Sequence, residues 1–71
     1  MSAEQEIRDL GRLQAPYGRE VQVRELVYDN GFRMLRLIIR EGRRFTTVDL
    51  DPVSARAWAA LLQRWTEAQP K

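Results

Sequence analysis

Residues 43–58 read RRFTTVDLDPVSARAW, and this stretch decides the fold. As far as Leu50 it is rich in β-branched and aromatic residues, the composition of a strand. Asp51-Pro52 then changes the pattern. An aspartate at the N-cap accepts hydrogen bonds from orphan backbone N–H groups, and a proline at the first helical position loses no bond there. Beyond it the period becomes 3.6. Trp58, Leu61, Leu62 and Trp65 fall at i, i+3, i+4 and i+7, while Arg56, Gln63 and Glu67 lie on the other side. The spacing predicts an amphipathic helix over 52–69, stopped by Pro70.

Working back from this switch, the chain reads as hairpins. Residues 32–40, FRMLRLIIR, are the clearest strand, and Glu41-Gly42 marks a tight turn after it. Residues 19–28 form another strand, preceded by a turn at Ala15-Pro16-Tyr17-Gly18. Their alternation slips between Val23 and Leu26, which a bulge near Arg24-Glu25 would repair. Asn30-Gly31 between two such runs is a strong hairpin signal. Ile7, Leu10 and Leu13 recur at intervals of three, so residues 7–14 read either as a helical turn or as a short edge strand around 10–14. The strand is preferred, because sequential strands tend to pair. Residues 1–6 are polar and read as frayed. The expectation is one α+β domain over 1–71. It has an antiparallel sheet of four strands, at least three, across 10–50, followed by one C-terminal helix.

Two-residue loops at Glu41-Gly42 and Asn30-Gly31 would set the register. Arg40 then faces Arg43, Ile38 faces Phe45, Leu35 faces Val48, and Glu25 faces Arg36. Leu35, Leu37, Ile39, Val48 and Leu50 become the bed for the helix. The other face carries Val23, Phe32, Met34, Ile38 and Phe45, with Arg36, Arg40, Arg43 and Thr47 among them. One helix covers one face, so the second would remain an apolar patch in water, and such patches mark interaction sites. A second copy of the chain is the leading candidate to cover it. Single-stranded nucleic acid is another, since stacking side chains ringed by arginines suit bases and phosphates. The N-terminal segment folding over it is the third.

Composition narrows the chemistry. With 71 residues there is one core at most. There is no Cys and no His, so disulfides are excluded, zinc lacks its usual ligands, and a Cys–His or Ser–His nucleophile cannot be built. Ser54 reads as a first-turn residue. Asp49 and Asp51 are near neighbours, but one alternates outward on a strand and the other caps the helix. The glycines are isolated and form no phosphate loop. No catalytic residue, metal site or cofactor is expected, and the reading is a non-enzymatic binding module. Lys71 is the only lysine among twelve basic residues, and ten acidic residues leave a net charge of +2. Arginine forks suit phosphates and carboxylates. No apolar run approaches the ~20 residues of a membrane span, and the polar, acidic start is unlike a secretory signal, so a cytoplasmic location is expected.

Val-Gln-Val-Arg-Glu at 21–25, Leu-Ile-Ile-Arg-Glu at 37–41 and Val-Asp-Leu-Asp-Pro at 48–52, leading into the helix with Trp58 and Leu61, carry a likeness. Over about residues 10–66 the chain resembles the positive-cofactor-four type of single-stranded-DNA-binding transcriptional coactivator. That resemblance implies a curved four-stranded sheet, a homodimer through the helices and a basic strand surface for single strands. By position it makes Arg24, Arg36, Arg40, Arg43 and Arg44 candidate contacts, beside the candidate apolar residues Phe32, Ile38 and Phe45. The chain is also similar to small bacterial proteins of about this length that carry no assigned function.

Overall fold

The computed structural model describes residues 5–70. The element order is β1 (Gln5–Ala15), β2 (Arg19–Tyr28), β3 (Arg33–Glu41), β4 (Arg44–Leu50) and α1 (Pro52–Glu67). The strands form one antiparallel sheet in the order β1-β2-β3-β4, so every neighbour in the sheet is a neighbour in the chain. The fold is therefore α+β with β-β-β-β-α order.

The N-terminal segment is the edge strand preferred over a helical turn, but it runs the whole length from Gln5 to Ala15 rather than only around 10–14. It takes in Gln5 and Glu6, where fraying is expected from the sequence; the rest of that expectation concerns residues 1–4, outside the described residues. The bulge lies here and not in β2. The β1–β2 register shifts between Asp9 and Gly11, leaving Leu10 as the extra residue, and the Gly11 N–H donates to Asp9 Oδ1 at 3.1 Å. The extra residue explains the misleading spacing of three. It puts Ile7 opposite Leu26 on one face and Leu13 opposite Val21 on the other.

Loop length corrects the other registers. Asp29-Asn30-Gly31 is a three-residue loop. The Gly31 N–H donates to the Tyr28 carbonyl and the Tyr28 N–H to the Phe32 carbonyl, each at 2.9 Å. Gly31 has φ +86°, whereas Asn30 stays at negative φ and accepts from the Phe32 N–H through Oδ1. This excludes a two-residue type I′ turn, which needs positive φ at both central positions. One extra loop residue slides β3 by one. Arg24 therefore faces Arg36, Glu25 faces Leu35, and Val23 faces Leu37. Val23 consequently moves to the helix side, contrary to the sequence expectation. At the next hairpin the loop is Gly42-Arg43, with Gly42 at φ +61°, as a type II′ turn requires. Glu41 faces Arg44, Arg40 faces Phe45, Ile38 faces Thr47, and Leu35 faces Leu50. That is a slip of two from the expected pairs, so the faces are kept.

The helix begins as its sequence dictates. Asp51 is the N-cap, its carboxylate accepting the Ser54 N–H at 2.8 Å, with Pro52 next. The helix ends at Glu67, two residues before the expected limit, and the Ala68 N–H closes it on the Arg64 and Trp65 carbonyls. Its packing departs most from expectation. Ala55, Trp58, Ala59 and Leu62 stand over Val23, Leu35, Leu37 and Leu50 across an open apolar hollow, and no helical residue is buried. Among the described residues only Leu26 is buried, and it lies on the opposite face of the sheet, between Ile7 and Met34 in register.

Candidate functional site

The candidate residues divide among three places. Arg24, Arg36, Ile38, Arg40 and Phe45 share the face away from α1, here called the open face. Phe32 sits at one end of that face, in the β2–β3 loop. Its ring lies 6.2 Å from that of Tyr28, and the two line a shallow hollow with Met34 and Asn30. Arg43 stands at the tip of the β3–β4 turn. Arg44, opposite Glu41, belongs to the helix side. The alternation thus brings five of the eight together and separates Arg44 from them.

Ion pairs decide what those arginines can do. Arg36 forms a bidentate pair with Asp49, Nε to Oδ1 at 2.8 Å and Nη2 to Oδ2 at 2.9 Å. The Arg36 hydrogen bond, helped by its charge, holds the Asp49 carboxyl below its ordinary pKa, and the same hydrogen bond raises that of Arg36. Arg40 and Arg12 bracket Glu20 at 3.6 and 3.7 Å. Arg24 donates to Gln22 Oε1 at 2.9 Å. Among the described residues it is the open-face arginine with no carboxylate within 4 Å. Its register neighbours are Asp9 on β1 and Arg36 on β3. A row of Asp9, Arg24, Arg36 and Asp49 therefore crosses all four strands, two cations inside two anions. The open face is a mixed surface and not a continuous positive strip.

The helix side has the opposite character. Leu13, Val21, Val23, Leu37, Ile39 and Val48 form its apolar centre. Charges stand at its ends and most are matched within the chain: Arg8 on Glu6 and Glu25, Arg33 on Glu25, and Arg19 on Glu41, with Arg44 beside Glu41 and unpaired among the described residues. Above it α1 exposes Leu61, Leu62 and Trp65, with Trp65 65% exposed, and Leu13 on β1 is 63% exposed. Sequence reasoning placed the whole helical stripe in the core and missed this surface. The available signal was width. Four strands at ~4.8 Å span about 19 Å, whereas a helix is ~10 Å across, so one helix cannot cover the sheet.

The described residues contain no group of three His, Cys, Asp or Glu side chains placed to hold a metal ion. They contain no helix long and apolar enough to cross a membrane. No curated protein and no solved structure matches the chain. The model of a family of unknown function, DUF6967, matches residues 4–68, nearly the whole length and every element described above, and the chain belongs to that family.

Proposed function

We propose that this protein is a non-enzymatic binding module that works as a homodimer, with the helix side of the sheet covered by a second copy. The observation that carries this is the shortage of core, with Leu26 the one buried residue among those described. The single chain exposes 6021 Å². A folded monomer of 8.3 kDa exposes about 4,600 Å² by the size scaling of globular proteins. After several hundred Å² are set aside for the chain ends, roughly 1,000 Å² remains on each copy, the scale of a stable dimer interface. The shape agrees: a plate 50 × 30 × 16 Å with a radius of gyration of 14.4 Å, against about 11 Å for a compact chain of this length. Light scattering over a dilution series tests the proposal. A dimer mass at micromolar concentration is expected, and a monomer mass at every concentration sinks it.

A second reading places single-stranded nucleic acid on the open face, which the dimer leaves free. Arg24 favours it, as an arginine without a carboxylate partner among the described residues, beside Arg36 and diagonal to Ile38 on the next strand, with Phe45 further along the same face. The likeness to the positive-cofactor-four type supports the same surface. Titration of a labelled oligonucleotide tests it. Phosphate contacts strengthen as salt falls, so this reading requires micromolar binding in low salt, weakened by Arg24→Ala. No binding under those conditions removes it.

A further inference from the structure

The dimer proposed above leaves open which surfaces meet, and the structure narrows the choice. Two apolar surfaces on the helix side lack a cover. One is the β1–β2 half of the sheet floor, around Leu13 and Val21. The other is the flank of α1 carrying Leu61 and Trp65, where Leu61 borders an open hollow shared with Leu50 of the sheet and Trp65 follows one helical turn on. Leu13, Leu61 and Trp65 are 63%, 60% and 65% exposed.

We infer that these two surfaces cover each other between copies: the Leu61–Trp65 flank of α1 in one chain docks on the β1–β2 floor of its partner. This inference rests on the homodimer reading and specifies its geometry. Three observations carry it. First, the sheet is wide enough for two helices, whereas the described residues form one; a second copy supplies the missing helix. Second, most charges at the ends of the floor are paired within the chain, Arg8 and Arg33 with Glu6 and Glu25 at one end and Arg19 with Glu41 at the other, which leaves Arg44 as the helix-side strand arginine with no carboxylate within 4 Å among the described residues. An occupant therefore needs an apolar contact surface rather than a charged one, and the α1 flank is of that kind. Third, the surfaces differ but lie on one chain. A two-fold axis then satisfies both at once, flank to floor and floor to flank, and closes the assembly at two copies.

The cysteine-free sequence permits a direct test by pairwise cross-linking. Chains carrying Leu13→Cys or Val21→Cys are mixed with chains carrying Leu61→Cys or Trp65→Cys and mildly oxidised. Each variant is first shown to retain its circular dichroism. The expected result is mixed floor-to-helix disulfide dimers well above the statistical share. A dimer by light scattering in which helix cysteines couple only to helix cysteines overturns the geometry and leaves the dimer standing. A monomer mass for the unmodified protein overturns both. Leu13→Glu gives an independent readout. It is expected to raise the dimer dissociation constant at least tenfold with the monomer's secondary structure intact, and an unchanged constant overturns the inference.

Discussion

Asp49 has two roles, because its pair with Arg36 both ties β4 to β3 and cancels a cation on the open face. Each side chain is 33% exposed, so screening by water limits the pair's contribution to under about 1 kcal/mol. The sign of its pH dependence follows from the direction of the shift. Asp49 has a lowered pKa when folded, so its contribution is complete above the ordinary carboxylate value and is lost as pH falls through the folded value. Asp51 behaves alike, held low first by the Ser54 hydroxyl and then by the Ser54 N–H. Stability is therefore expected to be flat near neutrality and to fall below about pH 4. Asp49→Asn should flatten that fall in urea midpoints measured against pH. If the open face binds single strands, the same variant should bind an oligonucleotide more tightly, because Arg36 is released. A second residue-scale prediction concerns Gly31. At φ +86°, Gly31→Ala forces a side chain into the left-handed region, and the urea midpoint should fall by the equivalent of about 1 kcal/mol. Tyr17 already pays a similar strain at φ +66°, with the Arg19 guanidinium 5.8 Å from its ring centroid.

Among the elements, α1 is informative because its two apolar flanks have different neighbours. Trp58 stands over the sheet of its own chain, whereas Trp65 does not. In the proposed dimer, Trp65→Ala should raise the dissociation constant at least tenfold by analytical ultracentrifugation and leave the monomer's far-ultraviolet circular dichroism unchanged. Asp51→Ala removes the N-cap and should lower helical content at an unchanged strand signal. The start of this helix was legible from Asp51-Pro52 because capping is local chemistry, and the hairpins were legible because Gly31 and Gly42 mark turns wherever they fall. Register was not legible. It depends on whether a loop has two residues or three, and Asp29-Asn30-Gly31 is compatible with either until the φ of Asn30 is known. That one residue moved Val23 to the other face. The bulge at Leu10 was hidden for a related reason, since an extra residue in a strand imitates the spacing of a helix. On the open face, the arginines were legible by type and parity. Their neutralisation by Glu20 and Asp49 was not, because those partners come from other strands in a register still to be set.

At the scale of the whole molecule, the proposed dimer would make stability a property of the pair. The melting temperature should therefore rise with protein concentration, as scanning calorimetry over a hundredfold range would show; a constant melting temperature would count against the dimer. The chain-order sheet has a kinetic consequence. Every strand pairs with its sequence neighbour, so each loop to be closed is short and the contact order is low. Hairpins of this kind close in roughly microseconds. Nothing inside one chain has to wait for a distant segment, and in the proposed dimer the encounter of two copies would be the slow event. Refolding followed by tryptophan fluorescence should then show a fast phase independent of concentration and a slower one whose rate increases with it. If the chain pairs as proposed, the simplest topology in the sheet thus moves the folding bottleneck to diffusion between chains.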